Sequence, residues 1–218
     1  MPERLRWQVG DEENGQLVQV STPVAVTSSG ITIPTMDFLW KASFEGKVFI
    51  GGDADQNDMV TAQTSFANTT PTFCLDVPTG TTAIPLFVNL SQSGTVAGGD
   101  INVLIEIDKV KRFSSGTAET SFNTMPFAAQ CGIYSTVTAV AGYGMTVFRA
   151  TLAPDVSPAE GAVQGPFWRP DFPIALKGPA SLLIYTYAAS TAPTWLWNIG
   201  WVELSDDDVT RYINAGLL

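Results

Sequence analysis

Between Thr194 and Glu203 the side chains alternate: Trp195, Trp197, Ile199 and Trp201 fall on one side, and Thr194, Leu196, Asn198, Gly200 and Val202 on the other. That is the two-residue period of a β-strand. The preceding run, Leu182 to Ala188, is rich in aliphatic and aromatic residues suited to a pleated surface, and Ser190-Thr191-Ala192-Pro193 has turn composition. Together they predict an antiparallel hairpin with a buried Trp face. A buried aromatic side chain removes ~150–250 Å² from water, so a second sheet is expected to cover it.

The rest of the chain reads in the same terms. Residues 1–35 predict an extended arm, with Leu5, Trp7 and Val9 alternating before an acidic turn at residues 11–15, and short strands within 17–26 and 31–33. Phe38-Leu39-Trp40 and Lys47 to Ile50 flank Glu45-Gly46 and predict a second hairpin. Strands are expected at 59–66, 72–77 and 83–91, the last with Ile84, Leu86, Val88 and Leu90 on one face and Pro85 marking an edge or a strand start. The clearest strand is 101–108, where Ile101, Val103, Ile105 and Ile107 form a dry face opposite Asn102, Leu104, Glu106 and Asp108 on a mostly wet one. After a less regular passage at 114–125, strands are expected at 133–140 and 145–152, joined by Ala141-Gly142-Tyr143-Gly144. Five prolines between 154 and 173 predict a long loop. Only the C-terminus has helix signals: Ser205 as N-cap, Asp206, Asp207 and Asp208 in the first turn, and Gly216 as C-cap predict a helix over about 206–214. The expected organisation is an arm (1–35), an all-β two-sheet antiparallel sandwich of single jelly-roll type (36–204) and a short C-terminal helix (205–218).

Composition adds a constraint on the surface. Charged residues make up only 15% of the 218, while hydrophobic residues reach 45% and Gly and Pro number 19 and 14. So little charge points to a surface partly buried against partners. The net charge is −10, and basic residues are scattered apart from Lys109, Lys111 and Arg112, so nucleic-acid binding is not expected. That short run follows a strong strand and reads as a solvated strand end. No stretch has the length of a membrane span and the N-terminus lacks an apolar signal core, so synthesis and folding in a cytoplasm are expected. Cys74 and Cys131 then read as reduced, buried thiols.

Candidate chemistry is sparse. The sequence contains no histidine, which removes Ser-His-Asp and Cys-His machinery and the commonest zinc ligand. Glu106, Asp108 and Glu203 are conceivable as a carboxylate pair for glycoside hydrolysis, but their positions read as solvent-facing or strand-end surface. Asp53, Asp55 and Asn57 copy the first three ligand positions of a calcium loop. The copy fails at Asp58, where Gly is required, and at Thr64, where Glu is required. No catalytic residue, cofactor or metal is therefore assigned. The alternating tryptophans read as core rather than as a sugar-stacking platform. Phe167, Trp168 and Arg169, in the proline-rich loop, and Trp7, in the arm, are the candidates for subunit contact. Phe167-Trp168-Arg169-Pro170 is also a better candidate than the Trp hairpin for an exposed sugar-stacking contact, and the alternative preferred for it is a hydrophobic plug that closes one end of the sandwich or touches a neighbouring subunit.

Pro173-Ile174-Ala175-Leu176, followed by Lys177-Gly178-Pro179-Ala180-Ser181-Leu182, then the stretch from Tyr185 to Trp195 and the closing Gly200-Trp201-Val202-Glu203-Leu204, resemble the carboxy-terminal strands of β-rich structural proteins of bacterial viruses. The resemblance spans about thirty residues. It implies a jelly roll or related sandwich that oligomerises in the virion shell or on its surface. The expected role is then a non-enzymatic virion structural protein, made in the host cytoplasm, with copies of itself and other virion proteins as partners. This chain lacks the basic genome-packing arm of many shell proteins, which argues against direct nucleic-acid contact. A carbohydrate-binding or adhesion sandwich is the alternative function.

Overall fold

The computed structural model describes residues 38–53, 55, 59–94, 97–153 and 168–214, and the backbone of 7–8 and 17–18. In chain order the elements are β1 (Trp7–Gln8), β2 (Leu17–Val18), α1 (Phe38–Phe44), β3 (Val48–Gly52), β4 (Val60–Thr61), β5 (Phe73–Val77), β6 (Thr81–Gln92) and β7 (Ile101–Asp108). They continue with β8 (Phe113–Ala118), β9 (Thr120–Phe122), β10 (Gly132–Ala139), β11 (Met145–Leu152), β12 (Leu176–Lys177), β13 (Ala180–Ala188), β14 (Thr194–Ser205) and α2 (Asp206–Asn214). β1 and β2 form a separate antiparallel ribbon. The remainder of the expected arm, most of the 154–173 loop and the expected C-cap at Gly216 lie outside the described residues.

Eight strands, β3, β5, β6, β7, β11, β12, β13 and β14, pair from the outside inward: β3 with β14, β5 with β13, β6 with β12, and β7 with β11. The rolled ends are closed by β14 against β6 and β13 against β7. All these pairs are antiparallel, so a long hairpin has been wrapped on itself, which is the strand order of a single jelly roll. One sheet runs β12-β6-β14-β3 with β9 added beyond β3, and the other β11-β7-β13-β5 with β10 and β8 added beyond β5. The three added strands come from the segment between β7 and β11.

The Trp face lies at the centre of this sandwich. Trp195, Trp197, Ile199 and Trp201 are all buried, Phe73 stacks on Trp197 with ring centroids 4.1 Å apart, and Phe49 stacks on Trp201 at 5.7 Å. On area bookkeeping each indole contributes roughly 4–6 kcal/mol of transfer free energy, as an upper bound. The hairpin expectation is corrected, however. β13 and β14 are consecutive but belong to opposite sheets, so the turn at 190–193 is an arch across the core. β13 is part of the cover that the Trp face requires.

Other expectations are corrected for local reasons. Phe38-Leu39-Trp40 begins a helix rather than a strand. Ala42 is buried, Phe38 meets Tyr212 of α2 edge to face at 5.5 Å, and Gly46 ends the helix at φ +69°. There Lys47 N donates to Ala42 O and Gly46 N to Ser43 O, the paired bonds of a Schellman cap. The Glu45-Gly46 signal was therefore a helix stop.

The expected single face of β6 is split by a bulge. Phe87 sits opposite Gly200 and Pro85 opposite Trp201, leaving Leu86 as the extra residue. Val88 and Leu90 consequently enter the main core, while Ile84 and Leu86 pack outside with Val202, Leu204 and Tyr212 beneath the two helices. β10 has a similar shift near Thr136, which adopts φ +47°, so Ile133 faces the main core and Val137 the outer side. The strands β10 and β11, although joined by a short link, lie on opposite sides of β5, β13 and β7. The passage at 114–125 carries two edge strands, β8 and β9, on different sheets.

Candidate functional surface and buried polar sites

The three carboxylates considered for catalysis do not converge. Glu106 lies on β7 in one sheet and Glu203 on β14 in the other, and both are buried, which corrects the surface reading. Glu203 accepts hydrogen bonds from Gln130 N (2.7 Å), Cys131 N (3.0 Å) and Trp201 Nε1 (3.3 Å), and so fixes the β9–β10 connection to the sandwich. Glu106 accepts from Thr146 Oγ1 on the neighbouring β11 at 3.4 Å. Asp108 pairs with Arg112 at 3.0 Å. Glu203 and Asp108 thus act as internal tacks, whereas Glu106 Oε2 is buried without a hydrogen-bond partner among the described residues.

Arg112 was expected at a solvated strand end, but it is 1% exposed. Its Nε donates to Val140 O, one terminal nitrogen to Asp108 Oδ2 (3.0 Å) and the other to Asn68 O (2.9 Å). Its own N–H donates to Ser181 Oγ at 2.9 Å. One guanidinium thereby holds the 67–72 segment, the β10–β11 link and the turn after β7 on the outer face of the β7-β13-β5 sheet. That face was expected to be mostly wet, yet Leu104, Cys74, Val137, Leu183 and Tyr185 form a buried cluster there. Tyr185 Oη donates to Asn68 O at 3.1 Å. Burial first, and the negative charge of Glu106 second, push its pKa up to about 12, so the phenol stays protonated and remains a donor. Lys111 reaches Asp76 at 3.2 Å from a more exposed position. Burial pushes the thiols of Cys74 and Cys131 well above their ordinary range, and both are free. Reduced, buried thiols were expected here.

A second polar network joins α1 to α2. Ser205 and Asp208 form a reciprocal capping box: Asp208 N donates to Ser205 Oγ at 3.1 Å and Ser205 N to Asp208 Oδ2 at 3.1 Å. Asp208 also accepts from Lys47 (2.6 Å) and Arg211 (2.8 Å). Glu45 takes a two-pronged contact from Arg211, at 3.1 and 2.8 Å, with Tyr212 Oη at 2.6 Å and Lys41 one turn back. Burial alone would raise the pKa of Glu45, but the hydrogen bonds from Arg211, Lys41 and Tyr212 outweigh it and bring it down to about 2. Asp208 is held low in the same way, its burial outweighed by Lys47, Ser205 and Arg211.

The calcium-like loop is reached only in part. Asp55 N donates to Asp53 Oδ1 at 2.8 Å, an Asx turn, and Asn57 lies outside the described residues. Among the described residues no three Cys, Asp or Glu side chains are grouped to hold a metal ion. Of the subunit-contact candidates, Trp168 is corrected. It is buried in the main core and exchanges two backbone hydrogen bonds with Val88, at 2.9 and 3.0 Å, so it is a core residue and not a surface contact. Arg169 beside it is exposed, Phe167 is outside the described residues, and Trp7 is placed only by its backbone in the β1–β2 ribbon.

The exposed apolar surface is found elsewhere. Ile50 on β3 stands directly opposite Phe122 on β9, and both are exposed. The loop that follows carries exposed Met125 and Phe127, and packs Phe127 against Gly46 at the end of α1. Asn123 Nδ2 donates to Gly46 O at 2.6 Å and holds that loop in place. Trp40 and Phe44 stack one turn apart on the exposed side of α1, with centroids 6.2 Å apart. The sequence signal was present but weak: residues 120–131 contain no charge and no strand period. A separate groove of about 560 Å³ runs between α1, β6 and the 170–173 segment, lined by Phe38, Ile84, Pro85, Leu86 and Phe172. No helix among the described residues is long and apolar enough to cross a membrane. No family model, curated protein or solved structure matches the chain.

Proposed function

We propose that this chain is a non-enzymatic structural subunit of a virus particle, assembling with copies of itself as a capsid or capsid-surface protein. The observation that carries the reading is the jelly-roll strand order combined with a charge-poor surface bearing large exposed aromatics. That fold serves several functions, viral shells and lectins among them, so the fold alone does not choose. The polar chemistry adds to the reading, because Glu203 and the Arg112–Asp108 pair are used to hold segments of the chain together. Such a subunit would reside in the virion after synthesis in the host cytoplasm. Its partners would be its own copies and other virion proteins.

The test is the mass of the purified protein by light scattering over a range of concentrations, with particle imaging of the same samples. Closed symmetric oligomers or shells are expected. A persistent monomer of 23.3 kDa would overturn the proposal. The groove beside Phe172, 66% exposed, favours a carbohydrate-binding module as the second reading. Its lining offers few hydrogen-bonding groups apart from Asp171, whereas sugars require several placed polar contacts. Glycan binding that is lost on Phe172→Ala, by a monomeric protein, would favour that alternative.

A further inference from the structure

The sheet edge at β9 combines two features that soluble proteins usually avoid together. It is the terminal strand of its sheet, and on the side away from β3 its backbone has no strand partner among the described residues. Natural edges are commonly blunted by shortness, charge, proline or a bulge. β9 is only three residues long and follows Glu119, but Thr120-Ser121-Phe122 itself carries no charge, proline or bulge, and no charged residue follows until after Cys131. Around this edge lie Ile50, Phe122, Met125 and Phe127, with Trp40 and Phe44 on the adjoining helix. Phe122 is 65% exposed, Phe127 56%, Trp40 65% and Phe44 64%. At ~150–250 Å² for each whole aromatic, their exposed parts come to about 400–600 Å². That is half to three quarters of the ~800 Å² that each partner contributes to a standard stable interface.

We infer that a second copy of this chain covers this surface, around a two-fold axis beside β9. The inference rests on the assembly reading above and names its contact. The patch offers an open strand edge and an apolar surface, beside which the charges of Lys41 and Glu45 on α1 are paired with each other and with Arg211. Both are self-complementary about a two-fold, because an edge strand pairs antiparallel with its own copy and an apolar face matches itself. Charge selects the same occupant. Copies carrying −10 each repel one another, so they approach most easily where carboxylates are missing. A basic partner, by contrast, would be recognised through acidic groups that residues 120–131 lack. Association through this face should tighten with added salt, as screening relieves the repulsion between copies.

The experiment compares wild type with Phe122→Asp, Phe127→Asp and the double variant in sedimentation over a wide concentration range. Met145→Asp, at an exposed apolar position on the other sheet, serves as the control. The double variant is expected to weaken association by roughly 100-fold or more, the effect of losing central aromatic anchors, while the control stays within about threefold. If wild type associates and the double variant associates equally well, this contact is wrong and the assembly reading survives. If wild type remains monomeric throughout, both are overturned. Amide exchange of wild type provides a measure that does not depend on whether a variant folds. Amides of residues 120–127 should gain protection as the protein associates, and association without that gain refutes the contact.

Discussion

Replacing Arg112 with Met removes the guanidinium but keeps much of the stem volume, which isolates the polar contribution of a side chain that is 1% exposed. The change leaves Asp108 Oδ2, Val140 O and Asn68 O without their donors. Breaking one side of a buried ion pair typically costs about 3–5 kcal/mol, because the remaining charge stays desolvated. Some of this is recovered here, since the Asp108 side chain is 15% exposed and water can reach it. The expected loss is therefore about 3 kcal/mol. For a domain of this size that corresponds to a fall in Tm of roughly 6–12 °C. Urea unfolding at fixed protein concentration measures it, with an unchanged m-value showing that the native state stays compact. A double-mutant cycle with Asp108→Asn should return a coupling of about 1–3 kcal/mol. A loss below about 0.5 kcal/mol, the usual effect of a surface substitution, would mean that Arg112 is solvated in solution, and would refute its role as the clamp on the outer face.

Further consequences concern the helices, the turn after α1 and the thiols. Because the pKa of Glu45 is lowered from 4.5 to about 2 on folding, its contribution is fully present above pH 4.5 and is lost as the pH falls towards 2. Discounted for its partial exposure, this amounts to about 1–2 kcal/mol. Glu45→Gln should flatten the acid limb of stability against pH between 5 and 2, and limbs of equal slope would contradict the network. Gly46→Ala should cost about 1–2 kcal/mol in urea unfolding, since Ala is strained at φ +69° and its Cβ would lie 2.2 Å from the Phe127 ring. A neutral result would show that the turn is not held in this conformation. Cys74 and Cys131, buried and shifted upward by desolvation, should resist a thiol reagent at pH 8 in the native protein and react fully after unfolding in urea. Rapid reaction of either in the native state would place it outside the core.

The sequence alone determined what short-range periodicity encodes. The alternation from Trp195 to Trp201 fixed a strand and its dry face, the isoleucine series of residues 101–107 fixed β7, and Ser205 with its following aspartates fixed the start of α2. Each signal depends on a residue and its near neighbours, so no distant contact was needed to read it. The Glu45-Gly46 pair was ambiguous for the same reason, because a glycine with positive φ serves a hairpin turn and a helix cap equally well. The bulge at Leu86 was invisible, since one extra residue changes the face of all that follows and only the opposing strand counts it.

The tertiary structure decided the larger questions. Residues 190–193 read as a tight turn, and nothing within them states whether the next strand returns to the same sheet or crosses to the other. That choice depends on which surface can cover three tryptophans, and the answer lies in β5, β7 and β13. The fate of Arg112 was likewise set by segments at 67–72 and 139–142, remote in sequence, that supply carbonyls where water would otherwise be needed. The exposed face around Phe122 and Phe127 became a surface only because β9 ended as the last strand of its sheet. Hydrophobic period selects a buried side over an exposed one, but pairing between distant strands determines which apolar residues find a cover and which are left exposed.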